Sequence, residues 1–187
     1  MSAQSSDFRL VVSVGTDHHQ FDRLIDWTEV WLAENPDTTA LVQHGTTRPA
    51  RGATNFELLP HADLLAALQE ADAVVLQGGP GGIMDARSQG IKPIVVPRDP
   101  AMAEHVDGHQ QDFARHVGAQ DLAVVVEDQG AFNALLAETR DGSRDWHIDR
   151  DTGLRPGVAQ LAAALTPLPA ARSGKWRRLL AIWRPTK

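Results

Sequence analysis

Short apolar runs alternate with amphipathic stretches along most of the chain, and this alternation constrains the fold more than any other feature. The apolar runs are short and rich in β-branched residues, as expected of buried strands, and they lie at 10–14, 39–43, 55–59, 73–76, 93–96 and 122–127. The stretches between them have helical spacing, at 21–33, 63–70, 83–89, 106–117 and 131–138. Alternating strands and helices form parallel β-α units, so the pattern predicts an α/β fold with a doubly wound, Rossmann-like parallel sheet.

The C-terminal part of the chain departs from this pattern. Residues 140–155 are rich in Asp, Arg and Gly and indicate an exposed loop, whereas residues 158–165 have helical spacing. A further helix is predicted at 175–183, with one apolar stripe that consists of Trp176, Leu179, Leu180 and Trp183. We therefore expect one α/β domain over residues 1–170 and a basic amphipathic helix within 171–187.

Charge is distributed unevenly between the body and this tail. The last 16 residues carry six basic side chains and no acidic one, whereas the preceding 171 carry 12 basic and 24 acidic side chains. The acidic body argues against binding of nucleic acid, and the basic tail favours contact with something anionic. We expect the tail to bind a partner subunit or to lie peripherally on the inner face of the plasma membrane. Packing on its own domain is the alternative.

Composition excludes several other classes of protein. The chain has 187 residues, which is enough for one α/β domain with a substantial core. It contains no cysteine, so disulfides and thiolate metal sites are excluded and a cytoplasmic location is expected. No apolar run approaches the roughly 18–20 residues that span a bilayer, and the polar N-terminus is unlike a signal peptide.

Three segments rich in glycine and polar residues come directly after predicted strands. They are residues 15–20, 78–85 and 98–111. In a doubly wound sheet, ligands bind outside the carboxyl ends of the strands. The sequence therefore predicts that the three segments form one shared site.

The second of these segments contains Gly78-Gly79-Pro80-Gly81-Gly82, between a strand and a helix. Glycines let a ligand approach the backbone, and free N–H groups at the start of a helix favour an anion such as a diphosphate. The pattern is neither a P-loop nor G-x-G-x-x-G, and a turn that only permits close packing is the alternative. Asp85 is expected in the first helical turn, where it suits either the helix dipole or ribose hydroxyls.

The third segment combines two histidines with polar neighbours. His105 and His109 have the i, i+4 spacing of a metal pair with Asp107 between them, but no HExxH pattern and no clear third ligand accompany them. Hydrogen bonding of a sugar or phosphate by His109 and Gln110 is therefore favoured over a metal site. Capping of the helix by Asp107 is compatible with that interpretation.

Two further side chains are candidates for chemistry. His18, in the Asp17-His18-His19-Gln20 loop, suits an acid, a base or a phosphate donor, although a solvated loop histidine is the simpler interpretation. Arg98 follows the strand at 93–96, where it suits either a phosphate contact or a surface ion pair.

Taken in order, these segments resemble a known family. The resemblance covers about residues 9–120 and rests on Val12-Ser-Val-Gly-Thr16 with Phe21-Asp-Arg-Leu-Ile25, Val42-Gln-His-Gly-Thr46, Gly78-Gly-Pro-Gly-Gly-Ile-Met-Asp85, Pro93-Ile-Val-Val-Pro-Arg98 and Glu104-His-Val-Asp-Gly-His-Gln110. The chain resembles the C-terminal, donor-binding domain of glycosyltransferase family 28. It is most similar to the free-standing form of that domain, found in two-subunit UDP-GlcNAc transferases and in the small subunits of bacterial exopolysaccharide transferases.

The resemblance implies one half of a GT-B fold that holds a UDP-sugar without a bound metal ion or other cofactor. It assigns roles to eight binding residues: diphosphate or cleft contacts to Gly15 and Thr16, a diphosphate cradle to Gly79, Gly81 and Gly82, ribose binding to Asp85, and sugar contacts to His109 and Gln110. Two positions depart from the family pattern. Gly82 stands where Thr or Ser is usual, and Asp85 stands where Glu is frequent.

The resemblance also implies a partner and a reaction. Full-length members carry the acceptor site on a separate domain, so the implied partner is a membrane-anchored, acceptor-binding subunit. The reaction would be an inverting transfer from the UDP-sugar to a lipid-linked or saccharide acceptor, and His18 is the candidate general base on this chain. Two other functions are compatible with the sequence: a non-catalytic module that binds a nucleotide or nucleotide-sugar, and a sugar-nucleotide epimerase or hydrolase that acts alone.

Overall fold

The computed structural model describes residues 8–149. The helices predicted at 158–165 and 175–183, the end of the loop predicted at 140–155, and the domain boundary at 170 lie outside the described residues. The strands are β1 (Phe8–Ser13), β2 (Thr38–Gln43), β3 (Thr54–Phe56), β4 (Ala73–Gln77), β5 (Ile94–Val96) and β6 (Val124–Val125). The helices are α1 (Asp22–Glu34), α2 (His61–Glu70), α3 (Pro80–Ser88), α4 (His109–Ala119) and α5 (Gln129–Arg140), with a 3-10 turn at Pro100–Met102.

All six strands run parallel in one sheet, in the order β3-β2-β1-β4-β5-β6. This arrangement confirms the predicted doubly wound, Rossmann-like fold. The strand order reverses between β1 and β4, so the helices that follow these two strands cover opposite faces of the sheet. A crevice opens between the loops after such strands at the carboxyl edge, and it is the usual ligand position in this class of fold.

The central strands are apolar on both faces because helices cover both sides of the sheet. In β1 and β4, the side chains of Leu10, Val11, Val12, Val74 and Val75 are buried. Helix α1 packs one apolar face onto the sheet through Leu24, Ile25, Trp27, Trp31 and Leu32, and Trp27 contacts Phe132 of α5 with ring centroids 5.8 Å apart. Among the residues that the structure describes, no helix is both long enough and apolar enough to cross a bilayer.

The predicted elements are present, but several of their bounds differ. Strands β3 and β6 are shorter than the predictions at 55–59 and 122–127, because each pairs with only one neighbour at an edge of the sheet. Helix α3 begins earlier than predicted, at Pro80, and α4 begins later, at His109. The start of the loop predicted at 140–155 is not wholly exposed, because Trp146 is buried and its backbone carbonyl accepts from Lys92.

The carboxylate of Glu29 joins α1 to the loop that follows β2. It is 9% exposed and accepts hydrogen bonds from the side chains of Arg48 and Arg51 and from the backbone N–H of Arg51. Burial opposes ionisation of this carboxyl group, but these hydrogen bonds outweigh it and lower its pKa to about 2. The ionised carboxylate therefore stabilises the folded chain.

Glu29→Gln should lower the free energy of unfolding at neutral pH. Since the folded pKa lies below the ordinary value of 4.5, the contribution is complete above pH 4.5 and is lost as the pH falls through about 2. The full shift corresponds to about 3 kcal/mol, and the solvent exposure of both arginines reduces the expected loss to about 1–2 kcal/mol. Urea unfolding between pH 7 and 2 measures this loss in the free energy of unfolding. Glu138→Gln, at the exposed pair with Arg144, is the control, and an unchanged pH dependence in Glu29→Gln would contradict this assignment.

Candidate functional site

The loops that follow β1 and β4 meet at the side chain of Gln77, the last residue of β4. A Cβ atom added to Gly15 would lie 2.7 Å from Gln77 Nε2, and one added to Gly79 would lie 2.3 Å from the same atom. Because neither glycine has a side chain, the amide of Gln77 fits between the two loops. Gln77 is not among the predicted site residues, although it is the one polar residue that ends an otherwise apolar strand directly before the glycine cluster.

The loop after β2 also contacts this edge of the sheet. Gly45 has a positive φ of 57°, and a Cβ atom there would lie 2.9 Å from the backbone oxygen of Gly15, which itself has a φ of 78°. Thr46 Oγ1 donates to the carbonyl of His18 at 3.0 Å. The motifs around Gly15 and Gly45 are thus fixed against each other by close backbone contact.

Helix α3 begins inside the glycine cluster, which corrects the prediction of a helix starting at residue 83. Gly79 is the N-cap residue, Pro80 occupies the first turn, and no side chain caps the helix. Gly81 and Gly82 therefore lie in the first turn. Gly81 is exposed, and a Cβ atom there would have nothing within 4 Å. This end of α3 offers uncapped N–H groups beside open space, which is favourable for an anion.

Asp85 lies in the second turn of α3, and the expectation that it occupies the first turn is wrong. The helical rise places it about 7.5 Å along the axis from Pro80, too far to act mainly on the exposed N–H groups of the first turn. Its carboxylate instead lies 3.1 Å from Nε2 of His61, the first residue of α2, and both side chains are accessible to solvent. His61 is not among the predicted site residues, because it lies 24 positions before Asp85 in the sequence.

Gln110 lies against the glycine cluster from the side of α4. A Cβ atom on Gly78 would lie 3.1 Å from the Gln110 backbone oxygen. Within residues 8–149, neither Gln110 Oε1 nor Gln77 Oε1 has a hydrogen-bond partner, although both atoms are buried. Buried amide oxygens without a partner are unfavourable, so they are positioned to accept from a ligand. His109, in contrast, is largely exposed and lies 3.7 Å from Asp107.

Arg98 is completely buried, so the expectation of a phosphate contact or a surface ion pair is wrong. Its guanidinium donates to the backbone carbonyls of Val14, His19 and Glu104 at 2.9, 2.7 and 3.0 Å. It also lies over the ring of Phe21, 4.8 Å from the ring centroid. Desolvation lowers the pKa of Arg98, and the charges of Asp17 and Glu104 oppose that shift. Arg98 thus ties the loop after β1 to the loop after β5.

A second arginine strengthens the same junction. Arg23 of α1 donates from Nε and Nη2 to the two carboxylate oxygens of Glu104, at 2.9 and 2.8 Å, and to the carbonyl of Pro97. Glu104 is buried and also accepts from the backbone N–H of Asp99. The conspicuous motif residues Arg23, Arg98 and Glu104 therefore stabilise the loops after β1 and β5 through hydrogen bonds.

His18 is exposed in the loop after β1, beside Asp17 and His19. Its ring centroid lies 4.0 Å from that of His19, and its Nδ1 lies 3.8 Å from the Asp17 carboxylate. Burial opposes ionisation of Asp17, but hydrogen bonds from His19 and the nearby charge of Arg98 hold its pKa below the ordinary value. An accessible imidazole beside an ionised carboxylate is the arrangement expected of a general base.

His105 and His109 do not form a helical pair, because α4 begins only at His109 and His105 lies in the preceding turn. The carboxylate of Asp107 accepts from the His109 N–H at 3.1 Å, but the N-cap residue of α4 is Gly108 and no side chain caps this helix, so the expectation that Asp107 caps it is wrong. His105 instead lies near the loop after β1, with Nε2 3.5 Å from the carboxylate of Asp17. The i, i+4 spacing thus had no structural meaning.

Comparison with known proteins gives one family and a set of structures. Residues 9–139 match the glycosyltransferase family 28 C-terminal domain, and no curated protein matches the chain. MurG of Acinetobacter baumannii superposes with a TM-score of 0.58 at 12% identity, over 87% of this chain and 50% of that chain. The calicheamicin glycosyltransferase CalG4 has a TM-score of 0.53 at 15% identity, over 76% and 36% of the two chains.

The glycosyltransferase of kitacinnamycin gives a TM-score of 0.52 at 18% identity, over 76% of this chain and 37% of that chain. At such identities the likeness shows the fold, which is half of the GT-B architecture. The chain spans between 36% and 50% of the length of these three glycosyltransferases. The family match extends over more than two thirds of the sequence and confirms the resemblance of the ordered motifs. The chain therefore belongs to the family of glycosyltransferase family 28 C-terminal domains.

Proposed function

We propose that the chain is the donor-binding half of an inverting glycosyltransferase and that its donor is a UDP-sugar. One observation carries the proposal: the reversal of strand order falls between β1 and β4, and the glycine loops after these two strands meet at Gln77. A crevice of this kind, closed on one side by the uncapped end of α3, suits a diphosphate. The family membership of the chain supports sugar transfer as the activity.

We assign binding residues to each part of the UDP-sugar in turn: the diphosphate, the ribose and the sugar. The diphosphate lies at Gly79, Gly81 and Gly82, with Gly15 and Thr16 on the opposite wall of the crevice. Asp85 binds the ribose hydroxyls one turn further along α3. The sugar lies towards α4, where Gln110 and His109 are available, and the buried amide oxygen of Gln77 is a further acceptor for its hydroxyls.

The proposed reaction is a displacement at the anomeric carbon. An acceptor hydroxyl attacks this carbon, the bond to the diphosphate oxygen breaks, and UDP leaves. The backbone N–H groups at the start of α3 stabilise the charge of the leaving diphosphate, which is why we propose that no metal ion is required. His18 accepts the proton of the hydroxyl, aided by the neighbouring Asp17 carboxylate.

A partner subunit is part of the proposal. The resemblance of the ordered motifs to those of two-subunit transferases supports it, and we propose that an acceptor-binding, membrane-anchored subunit supplies the other wall of the cleft. The acceptor is then a lipid-linked sugar or another saccharide. Peripheral membrane contact through residues 171–187, at the cytoplasmic face, is consistent with the basic charge of that segment.

The experiment is a transfer assay of the chain with its candidate partner in excess EDTA. We expect transfer to persist, because backbone amides and not a metal ion neutralise the leaving group. Loss of transfer in EDTA that magnesium or manganese restores would contradict the metal-free reaction. Conversion of a UDP-sugar by the purified chain without any partner would instead indicate an epimerase or a hydrolase.

A non-catalytic nucleotide-binding module is the second candidate. Gly82 provides no hydroxyl where the resemblance leads us to expect Thr or Ser, so the cradle lacks one donor to phosphate. UDP affinity without transfer beside any partner would favour this function. If the Gly82→Thr variant then catalysed transfer in the same assay, the missing hydroxyl would explain why the unaltered chain does not.

A further inference from the structure

The loop after β1 brings together three groups that bind metal ions. One potential ligand atom from each of Asp17, His18 and His19 lies within 4.8 Å of the others. Asp17 and His19 are mostly shielded from solvent, whereas His18 is 82% exposed at its side chain. The cluster thus has two fixed members, one accessible member, and an open approach from solvent.

Local backbone geometry explains the contact between Asp17 and His19, but not the rest of the cluster. Asp145 and His147 repeat it: in both pairs the histidine Nδ1 lies 2.6 Å from the carboxylate, which also accepts from the histidine N–H. The second pair is exposed and has tryptophan between its members. Only the first pair has an imidazole at the middle position, so the two pairs form a matched comparison within one chain.

A second loop adds a group to the first pair only. Nε2 of His105 lies 3.5 Å from Oδ2 of Asp17, and the ring centroids of His105 and His19 are 5.8 Å apart. Nδ1 of His105 contacts Asp107, at 3.3 Å from its backbone oxygen and 3.4 Å from its backbone nitrogen, so Nε2 is the ring nitrogen that faces Asp17. Carboxylates that bind metal ions are commonly oriented by a neighbouring group that is not itself a ligand. His105 comes from a segment 86 residues away, so local sequence does not explain its position.

The junction behind the cluster holds it rigid. Arg98 donates to the carbonyl of His19 at 2.7 Å and to that of Glu104, the residue before His105, at 3.0 Å. A single buried guanidinium therefore fixes the spacing of both loops. Preorganised ligands of this kind bind an ion without the cost of ordering a loop.

We propose that Asp17, His18 and His19 bind one transition-metal ion of the Zn²⁺ class, with His105 orienting the Asp17 carboxylate. Two imidazoles and one carboxylate are ligands that Zn²⁺ prefers over Mg²⁺ or Ca²⁺, which favour oxygen atoms alone. Three protein ligands leave the fourth position of a tetrahedral ion open to water or substrate. The ion binds the imidazole nitrogen of His18 that would otherwise accept a proton. We therefore expect the ion to inhibit sugar transfer.

Binding of the ion stands on the geometry alone, whereas inhibition rests on the proposed function, because it requires His18 to act as the base. The two parts are tested by different measurements. Binding is measured with Co²⁺ in the absence of any sugar nucleotide, and inhibition is measured with Zn²⁺ in the transfer assay.

Titration of the full chain with Co²⁺, followed by visible absorption, tests the site. We expect one ion per chain with the intense bands of tetrahedral Co²⁺, displaced by Zn²⁺. His19→Asn should abolish the bands, and His105→Gln should weaken Co²⁺ binding about 10- to 100-fold, the range for residues that orient a ligand. His147→Asn, at the matched pair, should bind as the unaltered chain does.

Thermal unfolding of each variant without metal shows whether the fold is retained, and Asp17→Asn serves as a second ligand variant if His19→Asn fails to fold. Equal binding by the His19→Asn and unaltered chains, or equal loss in His147→Asn, would overturn the site. If Co²⁺ binds as expected but Zn²⁺ leaves transfer unchanged, the site stands and the role of His18 as the base is wrong.

Discussion

Replacing Arg98 with methionine should lower the free energy of unfolding by about 3–5 kcal/mol, the cost expected when one member of a buried, hydrogen-bonded charged network is removed. The buried carbonyls of Val14 and Glu104 and the partly buried carbonyl of His19 would lose their donor, at about 1–3 kcal/mol for each group that water does not reach. Urea unfolding at neutral pH measures the loss. We expect partial retention in Arg98→Lys, because an ammonium does not reproduce the fork of a guanidinium.

Arg115→Met is the control for Arg98→Met. Arg115 forms an exposed pair with Asp112 at 2.8 Å, so its removal should change the free energy of unfolding by less than about 0.5 kcal/mol. A loss below 1 kcal/mol in Arg98→Met would show that the guanidinium is not needed to hold the loops after β1 and β5.

Replacing Asp85 with alanine should weaken UDP binding about tenfold to hundredfold. A hydrogen bond to a charged group contributes roughly 1.5–3 kcal/mol, and Asp85 would supply it to the ribose. Within residues 8–149, the partner of its side chain is the accessible ring of His61 at 3.1 Å, so the fold should persist. Calorimetry with UDP measures the change. Asp85→Glu, which carries the residue frequent in the family, should retain most of the affinity.

Glu70→Ala is the control for the carboxylate, because Glu70 ends α2 and pairs with Arg9 at 3.8 Å, at the opposite edge of the sheet. Gly81→Ala provides an independent variant of the same site. Alanine at an open helical position favours the helix by up to about 1 kcal/mol, so weaker UDP binding there would be steric and not a loss of fold. Unchanged affinity in both Asp85→Ala and Gly81→Ala would exclude α3 from the binding site.

The sheet could be predicted from the sequence because its signals are local. Each buried strand is a short β-branched run, and the glycine cluster follows the strand that adjoins the reversal of strand order. The start of α3 was also readable, because proline is favoured in the first turn of a helix. The four glycines around Pro80 favour a loop instead and predict a helix that begins at residue 83. Such a helix would have Asp85 in its first turn, whereas α3 has it in the second.

The supporting network could not be predicted because its members are far apart in the sequence. Arg23 and Glu104 are separated by 81 residues, and Arg98 reaches the carbonyl of Val14 across 84 residues. Charged residues are expected on the surface, so a completely buried arginine is recognisable only when the loops around it are placed. The same limitation applies to His61 beside Asp85 and to His105 beside Asp17. Local spacing does not indicate which loops meet.

If the crevice between β1 and β4 binds the donor nucleotide, a crystal of the complex with UDP will show the nucleotide there. We expect electron density for the diphosphate beside the backbone N–H groups of Gly81 and Gly82, with the ribose within hydrogen-bonding distance of the Asp85 carboxylate. Density for UDP at any other place on the domain, or a failure to bind UDP at millimolar concentration, would contradict it.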